Sequence, residues 1–298
     1  MNPITLLRVR NRIRGTLFPQ ATARPFIRRF LSPRRLPAKD WENAAEQSAE
    51  RITFGPQQAL SALRWHPRAD YGRAQRILLV HGWESRATHM MTLADTLARQ
   101  GFDVFALDAP LHGQSGGERS NPVEFARAIC EADIAFGPFT GAVGHSMGGA
   151  ALAIARGMGT TAERYVLLAA PASLLEVLQG FAQFIGLPDK AAKAFISGVE
   201  TEVGVAAAEL DTGRLLATDQ RPTLLIHADN DVEIPVSAMQ RIRRFLPQAE
   251  IWTPAALGHR RLLRDPLVAE RVRTFLQEVG LPDAIGGVAV GVELYERD

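Results

Sequence analysis

Along most of the chain, apolar residues come in short unbroken runs. RILLVHG (76–82), DVFALDAP (103–110), FTGAVGHS (139–146), YVLLAAP (165–171), PTLLIHAD (222–229) and EIWTPA (250–255) repeat one type. A strand wet on one side alternates apolar with polar, whereas a strand covered on both faces reads as a continuous run. The segments between, about 87–100, 121–136, 147–158, 236–246 and 265–279, have helical composition. Ser120-Asn121-Pro122 starts one of them with capping residues and a proline suited to the first turn. Ahead of these runs, RITF and ALRWH read as two short strands with GPQQ turning between them. Strands alternating with helices predict an α/β fold, with a mostly parallel sheet covered on both faces.

The rhythm breaks twice. About 50 residues separate Pro171 from Pro222, where a crossover helix of about 10–15 residues would suffice. This interval carries Leu174, Leu175, Leu178, Phe181, Phe184, Ile185, Phe195 and Ile196. It is expected to form a small helical lid at 174–221, set into a core of residues 46–173 and 222–298. The other break is the N-terminal arm, 1–45. Residues 1–40 hold nine arginines and one lysine against a single acid, Asp40, a net +9. The rest of the chain holds 24 basic and 31 acidic side chains, a net −7, so the overall +2 hides two opposed regions. Pro19, Pro25, Pro33 and Pro37 argue against a long helix in the arm. Ile4, Leu6, Leu7, Val9, Ile13, Leu17 and Phe18 could make one side of an interfacial helix. The first expectation is that the arm packs back on the acidic body; contact with an anionic membrane surface is the alternative.

Composition narrows the classes further. A single cysteine, Cys130, leaves no intrachain disulfide and fits a reducing compartment. No apolar run reaches about 18 residues, and no secretory signal is read at the N-terminus. A cytoplasmic location is therefore expected, with peripheral membrane contact through the arm as an option. No His-x-x-x-His or Cys-x-x-Cys spacing suggests a metal, and no Lys-Ser or Lys-Thr follows the glycines at 144–149 as a P-loop requires. No G-x-G-x-x-G follows the first strand of the parallel set. Neither metal, cofactor nor nucleic-acid partner is expected, since nucleic-acid readout would rest on the arm alone, which is weak; the oligomeric state is not read from the sequence.

The chemistry concentrates in GAVGHSMGGA (141–150). Ser146 ends a buried strand and opens a helix, flanked by Gly144 and Gly148. That spacing suits a sharp strand-to-helix turn that exposes the hydroxyl and leaves no room for side chains at either glycine. The helix start behind it offers N–H groups to a developing oxyanion. A serine hydroxyl needs a base. Of seven histidines, His259, in a loop between the last strand and the last helix, is the best placed. His145 is expected on the far side of the turn from Ser146, His227 to be a satisfied strand-end residue, and His81 to brace its own loop. The base needs a carboxylate. Asp229, Asp231 and Glu233 all follow the run at 222–229, and chemistry alone does not choose among them.

Taken in order, HGW (81–83), GHSMGG (144–149), DNDVEIP (229–235) and GHRRLL (258–263) resemble the α/β-hydrolase superfamily over about residues 50–280. The resemblance implies Ser146 as nucleophile, Asp231 as acid with Asp229 in reserve, and His259 as base. It also implies an oxyanion hole from the backbone N–H groups of Trp83 and Met147. DAPLHGQS (108–115) resembles a supporting loop of the family but carries Leu111 where glycine is usual, and makes Asp108 a turn former. The implied function is a serine hydrolase cleaving a carboxylic ester or related acyl bond of a small molecule through an acyl-enzyme. Three rivals stay open: an acyltransferase or perhydrolase on the same triad, a non-catalytic small-ligand-binding protein, and a membrane-surface protein. The apolar, cation-poor lid favours neutral acyl groups.

Overall fold

The computed structural model describes residues 2–69, 75–218 and 221–277; the last residues of the expected core, 278–298, and residues 219–220 of the expected lid lie outside them. The strands are β1 (Glu50–Phe54), β2 (Leu60–Trp65), β3 (Arg76–Val80), β4 (Asp103–Asp108), β5 (Gly141–His145), β6 (Arg164–Leu168), β7 (Thr223–Ile226) and β8 (Glu250–Trp252). They form one sheet in the order β1-β2-β4-β3-β5-β6-β7-β8. β2 runs antiparallel to β1 and β4, and every other pair is parallel. Val80 pairs with Gly144, Leu168 with Ile226, and Ile226 with Trp252. That register ends the parallel strands together, so the loops that follow them open at one edge, where such sheets assemble sites.

Within the apolar runs, direction alternates although polarity does not. Leu78, Val80, Phe105 and Leu107 face a cluster shared with α5 (Pro122–Phe136), α6 (Met147–Gly157) and α10 (Ser237–Phe245). Ile77, Leu79, Val104 and Ala106 face α4 (Met91–Arg99) and α12 (Pro266–Gln277) on the other side. Each run thus buries both faces, which is why it lacks polar positions. Asn121 caps α5 through its side chain, accepting the N–H groups of Val123 and Glu124.

The interval after β6 folds as α7 (Leu174–Phe184), α8 (Asp189–Val203) and the short α9 (Thr212–Leu216). The arm departs from expectation. Its prolines do not prevent helices: α1 spans Pro3–Leu17 and α2 spans Pro19–Phe30. Pro19 falls in the first turn of α2, where a missing N–H costs nothing. Pro25 lies inside α2 and removes a backbone donor, a cost offset by the face that α2 buries. That face meets α7 and α8 rather than the sheet. Ala23, Phe26, Ile27 and Phe30 share a third core with Leu178, Ala182, Ala191, Phe195 and Val199. The rings of Phe30, Phe181 and Phe195 lie 5.0–5.6 Å apart. Gly198 lets the helices approach closely, since a Cβ there would sit 2.2 Å from Ile27 Cδ1. The contact is therefore apolar packing, although charge first suggested an electrostatic one. Among the described residues, no helix is long and apolar enough to cross a membrane.

Candidate active site

Ser146 stands between β5 and α6 with φ +53° and ψ −121°, a backbone conformation that L-residues rarely adopt. Its glycine neighbours make the turn sterically feasible. A Cβ at Gly144 would lie 2.6 Å from the backbone of Gly148, and one at Gly148 only 2.4 Å from the Val80 carbonyl oxygen. The HGW loop presses on the same turn: a Cβ at Gly82 would lie 3.0 Å from Ser146 Cβ and 3.1 Å from His145 Nδ1. Ser146 is half-buried, and Met147 opens α6, where the first N–H groups lack intrahelical partners.

His259, expected in a loop, lies in a four-residue helix, α11 (Gly258–Arg261), entered through Gly258 at φ +60°. It is buried, and its Nδ1 lies 2.7 Å from Asp231 Oδ2. Asp231 Oδ1 accepts the N–H groups of Glu233 and Ile234, both at 2.9 Å. Burial alone would raise the Asp231 pKa. Hydrogen bonds from His227, His259 and the Ile234 N–H outweigh it and hold the carboxyl well below the usual range. The other two acids have different partners. Asp229 Oδ1 accepts the Ala256 N–H at 2.9 Å, and Glu233 pairs with exposed Arg260. Asn230 Oδ1 accepts the Gly258 N–H at 2.7 Å. Four contacts thus stitch the loop after β7 to the loop after β8, and of these the Asp231 contact reaches a buried imidazole.

Two histidines have larger parts than expected. His145, expected away from the site, is buried with its ring 4.7 Å from that of His259. Its Nε2 donates to the His259 carbonyl oxygen at 3.0 Å, so it fixes the backbone of that residue. Burial, then the nearby His259, pushes its pKa down to about 3 and keeps it neutral. His227 donates from Nε2 to the Ile234 carbonyl at 2.8 Å and lies 3.4 Å from Asp231 Oδ2. Its position four residues before Asp231, at the end of an apolar run, was the one available sign of this contact.

The HGW loop is braced from behind. His81 donates from Nδ1 to the Gly82 carbonyl at 2.7 Å and accepts the Ala109 N–H on Nε2 at 3.0 Å. His112 donates from Nδ1 to the Pro110 carbonyl and accepts the Glu84 N–H on Nε2 at 3.1 Å. Burial lowers the pKa of both, reinforced at His81 by His112, so both remain neutral acceptors. The Trp83 indole packs edge-on against His112, centroids 5.2 Å apart. Leu111, the departure from glycine, takes the φ of +62° that a glycine would adopt without strain. Asp108 accepts the Ala87 and Gln114 N–H groups and pairs with Arg51, the turn-forming role expected of it. Arg34 of the arm grips Glu84, the residue after Trp83, through two contacts of 2.8 and 2.6 Å. Arg35 donates to the carbonyls of Leu111 and Ser115. No spacing in the sequence announced either contact, across some 50 to 80 residues.

Residues 73–212 match the family described as serine aminopeptidase, S33. No curated protein matches the chain by sequence. Among solved structures, an esterase from Pyrococcus furiosus superposes with a TM-score of 0.58 at 20% identity, covering 83% of this chain and 97% of its own. Est1E from Butyrivibrio proteoclasticus gives 0.61 at 18% identity over 76% and 98% of the two chains. The thioesterase domain from the curacin biosynthetic pathway gives 0.57 at 16% identity over 77% and 99%. At these identities the likeness is one of fold, and it agrees with the mostly parallel sheet flanked by helices. The chain has the α/β-hydrolase fold, and its residues 73–212 match a hydrolase family model.

Proposed function

We propose that the protein is a serine hydrolase that cleaves carboxylic esters through an acyl-enzyme. The observation that carries this reading is the buried 2.7 Å contact of His259 with Asp231 at the sheet edge that also bears the strained turn of Ser146. With Nδ1–H donated to Asp231, the lone pair of His259 Nε2 is free to take a proton. Ser146 Oγ attacks the ester carbonyl carbon as His259 removes the hydroxyl proton. The oxyanion accepts hydrogen bonds from the Trp83 and Met147 N–H groups. The tetrahedral intermediate collapses, the C–O bond to the alcohol breaks, and His259 returns the proton to the leaving oxygen. Water, deprotonated by the same imidazole, then attacks the acyl carbon; the bond to Ser146 Oγ breaks, His259 returns the proton to Oγ, and the acid leaves.

The acyl side is neutral and apolar in this reading. Met147 and Trp83 share an apolar cluster with Leu174, Leu210 and Val203 of the interval after β6. The two arm cations that reach this region, Arg34 and Arg35, are already bound to protein acceptors. A free carboxylate on the acyl group would be buried without a partner, at a cost of several kcal/mol. Fluorophosphonate labelling with the adduct mapped by mass spectrometry tests the nucleophile: a label at Ser146 is expected, and one elsewhere overturns the assignment. Rates across neutral esters of two to about ten acyl carbons should rise roughly fourfold per methylene up to the pocket limit, about 0.8 kcal/mol each. A succinyl-type ester should be a poor substrate.

A further inference from the structure

Helix α1 is apolar on two opposite sides. Ile4, Leu7, Asn11 and Gly15 turn inward, with Asn11 Nδ2 donating to the Ile185 carbonyl and Gly15 against Pro188. Leu6, Val9, Ile13 and Leu17, spaced three, four and four, turn outward and are 48–66% exposed, followed by Phe18 at 61%. The inward face already seats α1 on the protein, so folding does not account for the outward one. At 3.6 residues per turn, Arg12 borders this stripe on one side and Arg10 and Arg14 on the other, while Arg8 lies nearer the inward face and donates to the Phe184 carbonyl. Arg10, Arg12 and Arg14 meet no acid among the described residues. Beyond Arg10 and Arg14 lies a cleft of about 460 Å³ walled by Ile4, Leu7, Phe26, Phe181 and Ile185, with Arg29 at its far rim.

We propose that the outward face of α1 docks the protein onto an anionic lipid surface, the helix lying in the plane of the interface. Four apolar side chains in one row, rimmed by cations on both flanks, match the acyl and headgroup layers of such a surface. A nucleic-acid backbone would use the arginines but leave the row of Leu, Val and Ile in water. A headgroup phosphate bound by Arg10 and Arg14 leaves its chains apolar surface on either side. At 15 residues, α1 is about 22 Å long and far too charged to span. Docking this way requires no change in the arm, which is held to the body through its other face.

The test is flotation of the full-length protein with vesicles of phosphatidylcholine alone and of phosphatidylcholine with phosphatidylglycerol. Flotation is expected with the anionic vesicles only, weakened by high salt. Ile13→Asp with Leu17→Asp should lower partitioning at least tenfold. Arg10→Ala with Arg14→Ala should lower it roughly 25-fold, about 1 kcal/mol per arginine. All four positions are exposed, so the melting temperature and far-UV circular dichroism should stay at wild-type values and separate lost docking from lost folding. The proposal is overturned if the wild-type protein ignores anionic vesicles, or if the aspartate variant floats as well as wild type. It also fails if the stripe instead supports a dimer that the aspartates dissociate, or retains RNA in a gel shift while vesicles are ignored.

Discussion

The strand-end edge and the arm layer are built on opposite physical terms. At the edge, Asp231, His145, His227 and His259 are buried and make short directional contacts. Asp231 receives two backbone N–H groups and a histidine, and His259 is held at both its ring and its carbonyl. In the arm layer, α2 is held to α7 and α8 by phenylalanine and aliphatic packing rather than by ion pairs. Directional contacts fix atoms to within a few tenths of an ångström, which a proton relay needs. Apolar packing fixes a layer but not a reacting group. Changes at the edge should therefore remove activity with little loss of stability, and changes in the arm layer the reverse.

The largest expected effect is at the proposed nucleophile. Ser146→Ala should lower kcat about 10⁴-fold or more while the melting temperature holds or rises, since alanine keeps the fold but changes the reacting group. Steady-state ester hydrolysis alongside thermal unfolding reads both. Asp231→Asn should come next, at about 10³- to 10⁴-fold, because the amide no longer enforces the tautomer of His259. Asp229→Asn, which keeps an oxygen for the Ala256 N–H, should cost only a few-fold. The reverse order would move the acid to Asp229.

Protonation distinguishes the two regions through stability. The His145 pKa is lowered to about 3, and those of His81 and His112 are lowered too, with burial the leading cause at each. Between about pH 6.5 and the folded pKa, the unfolded chain binds protons that the native chain does not. Stability is thus complete above about pH 6.5 and falls as pH drops, by up to about 1.4 kcal/mol per pH unit for each such histidine. Asp231 acts in a lower window. Its depressed pKa adds stability that is intact above about pH 4 and is lost below it. His145→Gln keeps a donor for the His259 carbonyl but cannot titrate. Its urea-unfolding free energy should fall less steeply between pH 6.5 and 4 than that of the wild-type protein. Identical slopes would show that His145 does not resist protonation in the fold.

In the arm layer, Ile27→Ala should cost about 1–3 kcal/mol, since Ile27 packs against Gly198 and is only partly buried. Ester turnover below the melting range should change by less than about twofold. A large loss of kcat at unchanged stability would mean that the layer positions reacting groups after all.

What the sequence disclosed follows the same division. The parallel sheet was legible because doubly covered strands leave continuous apolar runs, and the turn of Ser146 because backbone crowding dictates glycine at 144 and 148. Asp231, as against Asp229 and Glu233, needed the family resemblance, since three acids within five residues have equal chemistry and differ only in what each faces. The arm was misjudged because proline was read as a helix breaker. Pro25 is tolerated by a face buried against α8, about 170 residues away in the chain, and no local pattern encodes that face. His145 escaped for a related reason. Its partner is a backbone carbonyl 114 residues away, and carbonyls carry no sequence signature.

Arg34 joins the two regions and gives the smallest, sharpest test. It is 70% exposed, so its pair with Glu84 should add no more than about 1 kcal/mol to stability. Glu84, however, follows Trp83 directly, takes a φ of +53°, and donates its N–H to His112. On the proposed mechanism, holding its carboxylate restrains the loop whose Trp83 N–H would meet the oxyanion. Arg34→Ala should therefore lower kcat a few-fold, with KM and melting temperature nearly unchanged, because a looser donor is felt in the transition state more than in the bound ester. Glu84→Gln should do the same, and the double variant should be no worse than either single one, since both break the same ion pair. Additive losses in that cycle would show that Arg34 and Glu84 act separately, and a loss confined to KM would place Arg34 in ester binding rather than in support of the loop.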